Sequence, residues 1–239
     1  MSGLNGYTGV TFDNIDVYSK WGFFIVTKTV GTPRPKVYKV DIPGGNGSID
    51  ITESVMGTTA YENREIEIRL RAIGEQNLWT SKHTQMLRDL HGRKMKIIFD
   101  DDAGYYYIGR LDVGELKYNF DVAEVTITAD CEPFKYLINA YGADWLWDPF
   151  DFVNGYVYDD TKTITNTTQV QIETMKMPVT PSFRASKAMT VTYQGATYTI
   201  PADTDITFYE LVLTEGTHTL TFKCSGTGTV KITFTNGIL

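Results

Sequence analysis

A mainly β protein of two domains is what this sequence predicts, and three observations predict it. Between Glu65 and Ala72, charged and apolar residues alternate without a fault, the period-two signature of a strand with one buried and one solvated face. Composition leans the same way: 13% of residues are aromatic, 15 being Tyr, with 21 Gly, which suits pleated strands joined by tight turns. Past Thr161 the chain becomes a Thr-rich succession of short alternating runs separated by glycine-containing turns, the pattern of a β-sandwich. A length of 239 residues accommodates two domains of ordinary size. The expected division is an N-terminal β-barrel or sandwich domain with a single helix over 1–138, and a C-terminal β-sandwich over 139–239.

The elements follow in order. Residues 15–30 read as one or two strands, with Trp21, Phe23 and Ile25 as the alternating apolar set. Gly31-Thr32-Pro33-Arg34-Pro35 interrupts them, because prolines remove donors that a central strand needs. A glycine-rich turn at Gly44–Gly47 leads into a strand carrying Ile49 and Ile51, then a polar link, then Tyr61-Glu62-Asn63-Arg64. In the next strand Ile66, Ile68, Leu70 and Ala72 point one way, and Glu65, Glu67, Arg69 and Arg71 the other. One helix is expected, from about Asn77 to His91, with Trp79, His83, Met86, Leu87 and Leu90 on one face and Gly92 as its C-terminal cap. Lys94–Phe99 and Tyr105–Leu111 form a hairpin around Asp100-Asp101-Asp102-Ala103-Gly104. Glu124–Ala129 adds a strand, and Asp130-Cys131-Glu132-Pro133-Phe134 closes the region. Residues 139–160 are aromatic and acidic with no clean period, and read as a linker. The sandwich strands are Val170–Glu173, Met189–Tyr193, Thr197–Ile200, Ile206–Leu213, His218–Cys224 and Thr229–Thr233.

Bulk chemistry excludes several function classes. A formal charge of −7 argues against a general basic nucleic-acid surface, and Arg34-Pro35-Lys36 and Arg93-Lys94-Met95-Lys96 read as solvated faces. No apolar run approaches the roughly 20 residues of a membrane span, and the first ten residues lack signal-peptide regions. Synthesis in a cytoplasm is therefore expected, with Cys131 and Cys224 as reduced structural thiols. Asn166-Thr167-Thr168 then reads as a turn rather than a glycosylation site.

Few residues suggest site chemistry. Asp100, Asp101 and Asp102 are adjacent acids but lack the spaced oxygens of a calcium loop, so a polar hairpin tip is expected. His83, His91 and His218 have no second ligand at chelating spacing. No nucleophile elbow, phosphate loop or dinucleotide fingerprint is present; no enzyme activity, metal or cofactor is called for. Trp145 and Trp147, with Phe150, Phe152, Tyr156 and Tyr158, read either as an interdomain clamp or as a stacking platform for sugar rings. The mixed row Glu65, Glu67, Arg69 and Arg71 reads either as a wet face of an antiparallel sheet or as a contact in which opposite charges set the register of neighbouring subunits.

The wording around the regular strand adds a further reading. GxNGxIDITE, followed by YENRxIxI, resembles the amino-terminal domain of the siphophage distal tail proteins, the rings that join tail tube to tail tip. GRKMKIIFDDD, YYYIGRL and AEVTITADCEPF continue that domain's order. GTHTLTFKCSGTGTVKITFTNGIL looks like the closing hairpins of the family's galectin-like carboxy-terminal domain. The resemblance spans nearly the whole chain, and the chain has no room for the large inserted carbohydrate-binding module of some relatives. It implies a structural component of a phage or prophage virion tail tip, made in the bacterial host cytoplasm. A ring-forming 1–138 domain would close a hexamer around a lumen for DNA. Its partners would be the tail tube protein, a tail-associated or tail-fibre protein and a receptor-binding protein, with no sequence-specific nucleic-acid binding and no membrane insertion. The alternative from another class is a carbohydrate-binding β-sandwich module.

Overall fold

The computed structural model describes residues 9–74, 76–137 and 157–239. The chain is mainly β and divides into two compact units, residues 1–138 and 139–238, each with its own apolar core. Of the aromatic segment, Trp145 and Trp147 lie outside the described residues.

The first unit runs β1 (Val10–Phe12), β2 (Ile15–Asp16), α1 (Val17–Trp21), β3 (Phe24–Val30), β4 (Lys39–Asp41), β5 (Ser48–Asp50), α2 (Thr52–Met56), β6 (Arg64–Ile73), α3 (Gln76–Leu90), β7 (Lys94–Phe99), β8 (Tyr105–Tyr118), β9 (Val122–Cys131) and β10 (Lys135–Leu137). Its main sheet has the order β2-β1-β7-β8-β9-β6-β3, while β10 pairs with β8 and β4 pairs with β5. These strand pairs are antiparallel. Four steps separate β3 from β7, about 19 Å in a flat sheet at the usual spacing of roughly 4.8 Å. Yet Lys28 of β3 places its ammonium 4.3 Å from the ring centre of Phe99 in β7 and pairs with Asp101 just beyond it. The sheet therefore curls into a partial barrel.

Ile66, Ile68, Leu70 and Ala72 of β6 point inward and join Ala123, Val125, Ile127 and Ala129 of β9 in the core. Helix α3 contributes Trp79, Met86 and Leu90, all buried. Leu87, expected on that face, is instead exposed. At about 100° per residue it stands roughly 80° from Trp79, whereas Met86 and Leu90 stand within about 20°. His83, about 40° away on the same scale, bonds the Gly114 carbonyl at 2.9 Å. Gly114 lies where the β8–β9 register shifts, so the histidine fastens the helix to a bulge.

Two short helices correct the single-helix reading. In 15–30, residues 17–21 are helical because Asp16 caps the N-terminus through Ser19 N–H at 2.6 Å and Gly22 takes the left-handed conformation at the other end, a pairing that supplies both termini of a one-turn helix. The second short helix follows Ile51 and ends at Gly57 in the same conformation.

The second unit contains β11 (Val157–Thr174), β12 (Ser182–Ala185), β13 (Met189–Tyr193), β14 (Ala196–Ile200), β15 (Asp205–Thr207) and β16 (Gly216–Thr235). Strands β11 and β16 run alongside each other for almost their full length, with a register shift at Asn166. The first half of β16 pairs with β13 and the second half with β12. Phe183, paired opposite Ile232, has its ring centre 6.0 Å from that of Phe222. Ten residues of straight strand would span about 33 Å, so β16 must fold back between those points. Positive φ at Asn166 and Gly226 accommodates the bend, and the result is a two-layer sandwich around Phe183, Phe222, Leu220, Ile232 and Val191.

Three sequence readings change here. His218–Cys224 and Thr229–Thr233 are halves of one bent strand. Val170–Glu173 is the end of a strand that already begins at Val157, within the supposed linker. The expected strand Ile206–Leu213 shortens to Asp205–Thr207, because the Leu211 N–H turns back onto the Phe208 carbonyl at 3.0 Å.

Candidate functional site

The outer face of the first unit's sheet is built from cross-strand rows. Arg110, Asp130 and Glu65 stand opposite one another on β8, β9 and β6; so do Asp112, Thr128 and Glu67. The third row pairs Thr126 with Arg69, and the fourth brings Lys117, Glu124 and Arg71 together. Glu65, Glu67 and Arg69 are exposed and Arg71 is half-buried, in keeping with their alternation against buried Ile66, Ile68 and Leu70. Arg71 is engaged within the chain, its Nη2 2.6 Å and its Nε 3.0 Å from Glu124 Oε1. Among the described residues Glu65, Glu67 and Arg69 have no ion pair. Glu65 faces Asp130 directly, and like charges so placed repel. The Asn63 amide, at 2.9 Å from Asp130 Oδ1, relieves only one of the two acids.

Sequence reasoning finds one of the three strands that make this face. Arg110, Asp112, Glu124 and Asp130 complete it. Their alternation is legible in the chain, but their adjacency to Glu65–Arg71 depends on strand pairing between segments distant in sequence.

The other singled-out residues have structural partners. Asp100 accepts the Gly9 N–H at 3.0 Å, Asp101 pairs with Lys28, and Asp102 pairs with Lys135 at 2.7 Å. The three acids occupy one 3₁₀ turn and hold three separate segments; no group of metal-ligating side chains occurs among the described residues. His91 Nδ1 accepts the Val113 N–H at 3.1 Å. His218 bridges Tyr193 at 2.7 Å and the Thr214 carbonyl at 2.6 Å inside the sandwich. Both cysteines are free and buried.

Below the outer face, Arg64 is 5% exposed. Its guanidinium lies 5.4 Å from the Tyr107 ring centre and donates to the Pro133 carbonyl; burial lowers its pKa. Beside it, Lys94 and Tyr136 donate to the two oxygens of Glu132 at 2.6 and 2.7 Å. These contacts bind the 130–136 segment to the sheet.

The whole chain resembles the crystal structure of SPP1 Dit (gp 19.1), described as a paradigm of the hub adsorption apparatus in phages that infect Gram-positive bacteria. The TM-score is 0.63 at 16% sequence identity, covering 97% of this chain and 99% of that one. It shares the Dit fold. No family model matches the sequence, and no curated protein matches it. The Dit likeness and the distal-tail resemblance of the sequence motifs thus agree on the architecture. No helix among the described residues is long and apolar enough to cross a membrane.

Proposed function

We propose that this chain is a structural component of a siphophage or prophage tail tip. Six copies close a hub ring that links the tail tube to the tail-associated and receptor-binding proteins, and DNA passes through its lumen. The observation that carries this reading is the Dit likeness, which extends over nearly the full length of both chains. In this reading residues 1–138 close the ring and residues 139–239, a galectin-like sandwich, serve as the docking arm.

The outer face supports the reading. Glu65, Glu67 and Arg69 remain available for a neighbour, and the opposed Glu65 and Asp130 gain most from a cation supplied by another subunit. Arg71, held by Glu124, is a positioning group within the face. A charge of −7 per copy suits a wall that does not grip phosphates. The role needs no catalysis. The carbohydrate-binding alternative rests on Trp145 and Trp147, and the described residues bring no observation to it.

Light scattering on the purified protein tests the ring stoichiometry. The expected mass is six times the 26.9 kDa protomer, and Glu65→Lys with Glu67→Lys lowers it while the circular dichroism of the folded protein is retained. A stable dimer or trimer as the end state would remove the hexameric hub reading.

A further inference from the structure

We propose that Asn46 is a site of spontaneous covalent modification, where the turn between β4 and β5 converts its asparagine to isoaspartate while the protein stays folded. Asn-Gly pairs occur at 5–6, 46–47, 154–155 and 236–237. The second and fourth lie among the described residues, and the fold treats them oppositely.

The reaction is intramolecular. The Gly47 nitrogen gives up its proton to water or hydroxide and attacks the side-chain carbonyl carbon of Asn46. A carbon–nitrogen bond forms, the side-chain amide bond breaks, and its nitrogen takes up a proton and leaves as ammonia. The product is a cyclic imide. Water then opens one of the two imide bonds. Opening at the main-chain carbonyl routes the chain through the side-chain carbonyl and gives isoaspartate; opening at the other carbonyl gives aspartate. Asparagine and one water thus become an acid and ammonia, with no change of oxidation state.

Ring closure makes one geometric demand. The nitrogen must swing onto the carbonyl carbon, a near-attack arrangement that a fixed strand resists. Glycine meets the demand most freely because no β-carbon crowds the approach.

Asn46 and Gly47 are free to make that movement. Residues 42–47 join β4 to β5, and all of them are exposed. Gly44 and Gly47 take positive φ, 73° and 83°, and a β-carbon at either would meet no heavy atom within 4 Å. The Gly45 N–H bonds the Ile42 carbonyl at 3.0 Å, whereas the Asn46 amide and the Gly47 N–H make no hydrogen bond among the described residues. The Asp41–Ser48 pair holds the ends of the turn and leaves its tip to move.

Asn236 and Gly237 are not. Asn236 is 2% exposed, and Gly237 is buried in the short strand Gly237–Ile238. Both the swing and the entry of water there require local opening.

Conversion places a carboxylate where a neutral amide stood, making each copy one unit more negative than its formal −7. It also adds a methylene to the main chain. Both changes fall outside the Lys39–Asp41 and Ser48–Asp50 ladder, so the ribbon is retained. The inference is independent of the tail-tip reading.

The test holds the full-length protein below its melting temperature at mildly alkaline pH, samples it over days, and weighs the separated proteolytic peptides spanning 46 and 236. The Asn46 peptide is expected to yield two new peaks, each with hydroxyl in place of amino, the isoaspartyl one severalfold the larger. Conversion at Asn46 is expected to run severalfold faster than at Asn236 and to rise with hydroxide concentration. In urea the two rates are expected to converge. Asn46→Gln removes both peaks, because its imide would need a less favourable six-membered ring. Intact Asn46 in the folded chain, over a period that converts the excised peptide, overturns the proposal. Equal rates at Asn46 and Asn236 in the folded chain overturn it as well.

Discussion

Gly109 and Cys131 face each other across the β8–β9 ladder so closely that no side chain fits at 109. An added β-carbon would lie 2.3 Å from Cys131 Sγ and 3.0 Å from the Asp130 carbonyl oxygen. Gly109→Ala is therefore expected to destabilise the first unit by about 1–3 kcal/mol, the usual cost of overpacking a dense core. Adding Cys131→Ala removes the nearer obstacle and restores part of the loss. Urea melts of the two variants check this; equal stability of the single variant and wild type would contradict it.

The same sulfur reports on folding. Burial pushes the Cys131 thiol up to about 12, the charge of Asp130 adding to the effect and that of Arg64 opposing it. Because thiolate is the reactive form, iodoacetamide at about pH 8, near the ordinary thiol value, is expected to leave Cys131 unmodified in the native protein and to label it fully in urea. Mass spectrometry of the peptide decides. Native-state labelling at the rate of a free thiol would show that the β9 end of the sheet opens readily.

Arg64 is buried beneath the outer face, and truncation to Ala removes a charge-assisted bond to Pro133 and the packing against Tyr107. A loss of about 2–3 kcal/mol is expected. Arg64→Met retains bulk and leaves no charge to desolvate, so it costs less. Chemical denaturation is expected to rank wild type above Met and Met above Ala.

Glu132 gives the first unit an acid-sensitive contact. Burial alone raises its pKa, but hydrogen bonds from Lys94 and Tyr136, with the Lys94 charge, outweigh burial and leave it below the ordinary value. A depressed folded-state pKa contributes stability above the unfolded value, about 4.3 for Glu, and loses it as pH falls through the folded value. Melting temperatures of wild type and Glu132→Gln are thus expected to differ at neutral pH and to converge only as pH falls past the unfolded Glu value of about 4.3 and through the lower folded one. A gap independent of pH would assign the difference to packing.

Much of the first unit is legible in the sequence because its strands are one-sided. Ile66–Ala72 alternate so regularly that both the buried row and the charged row can be assigned before any pairing is known. Trp79, Met86 and Leu90 likewise announce the long helix. The short helices are not legible as such, since Trp21, Phe23 and Ile25 keep an apolar alternation across the helix–strand junction at Gly22. Bends are hidden for a related reason. Gly226 and Gly228 look like parts of a hairpin loop, yet β16 continues through them because β11 follows it past Asn166. The candidate face needs Glu124 and Asp130 to be placed beside Arg71 and Glu65, and that adjacency is a property of the sheet.

Negatively stained protein is expected to give end-on class averages with sixfold symmetry around an open lumen in the electron microscope. A closed particle without a lumen, or a ring of any other symmetry, would contradict the hexameric hub.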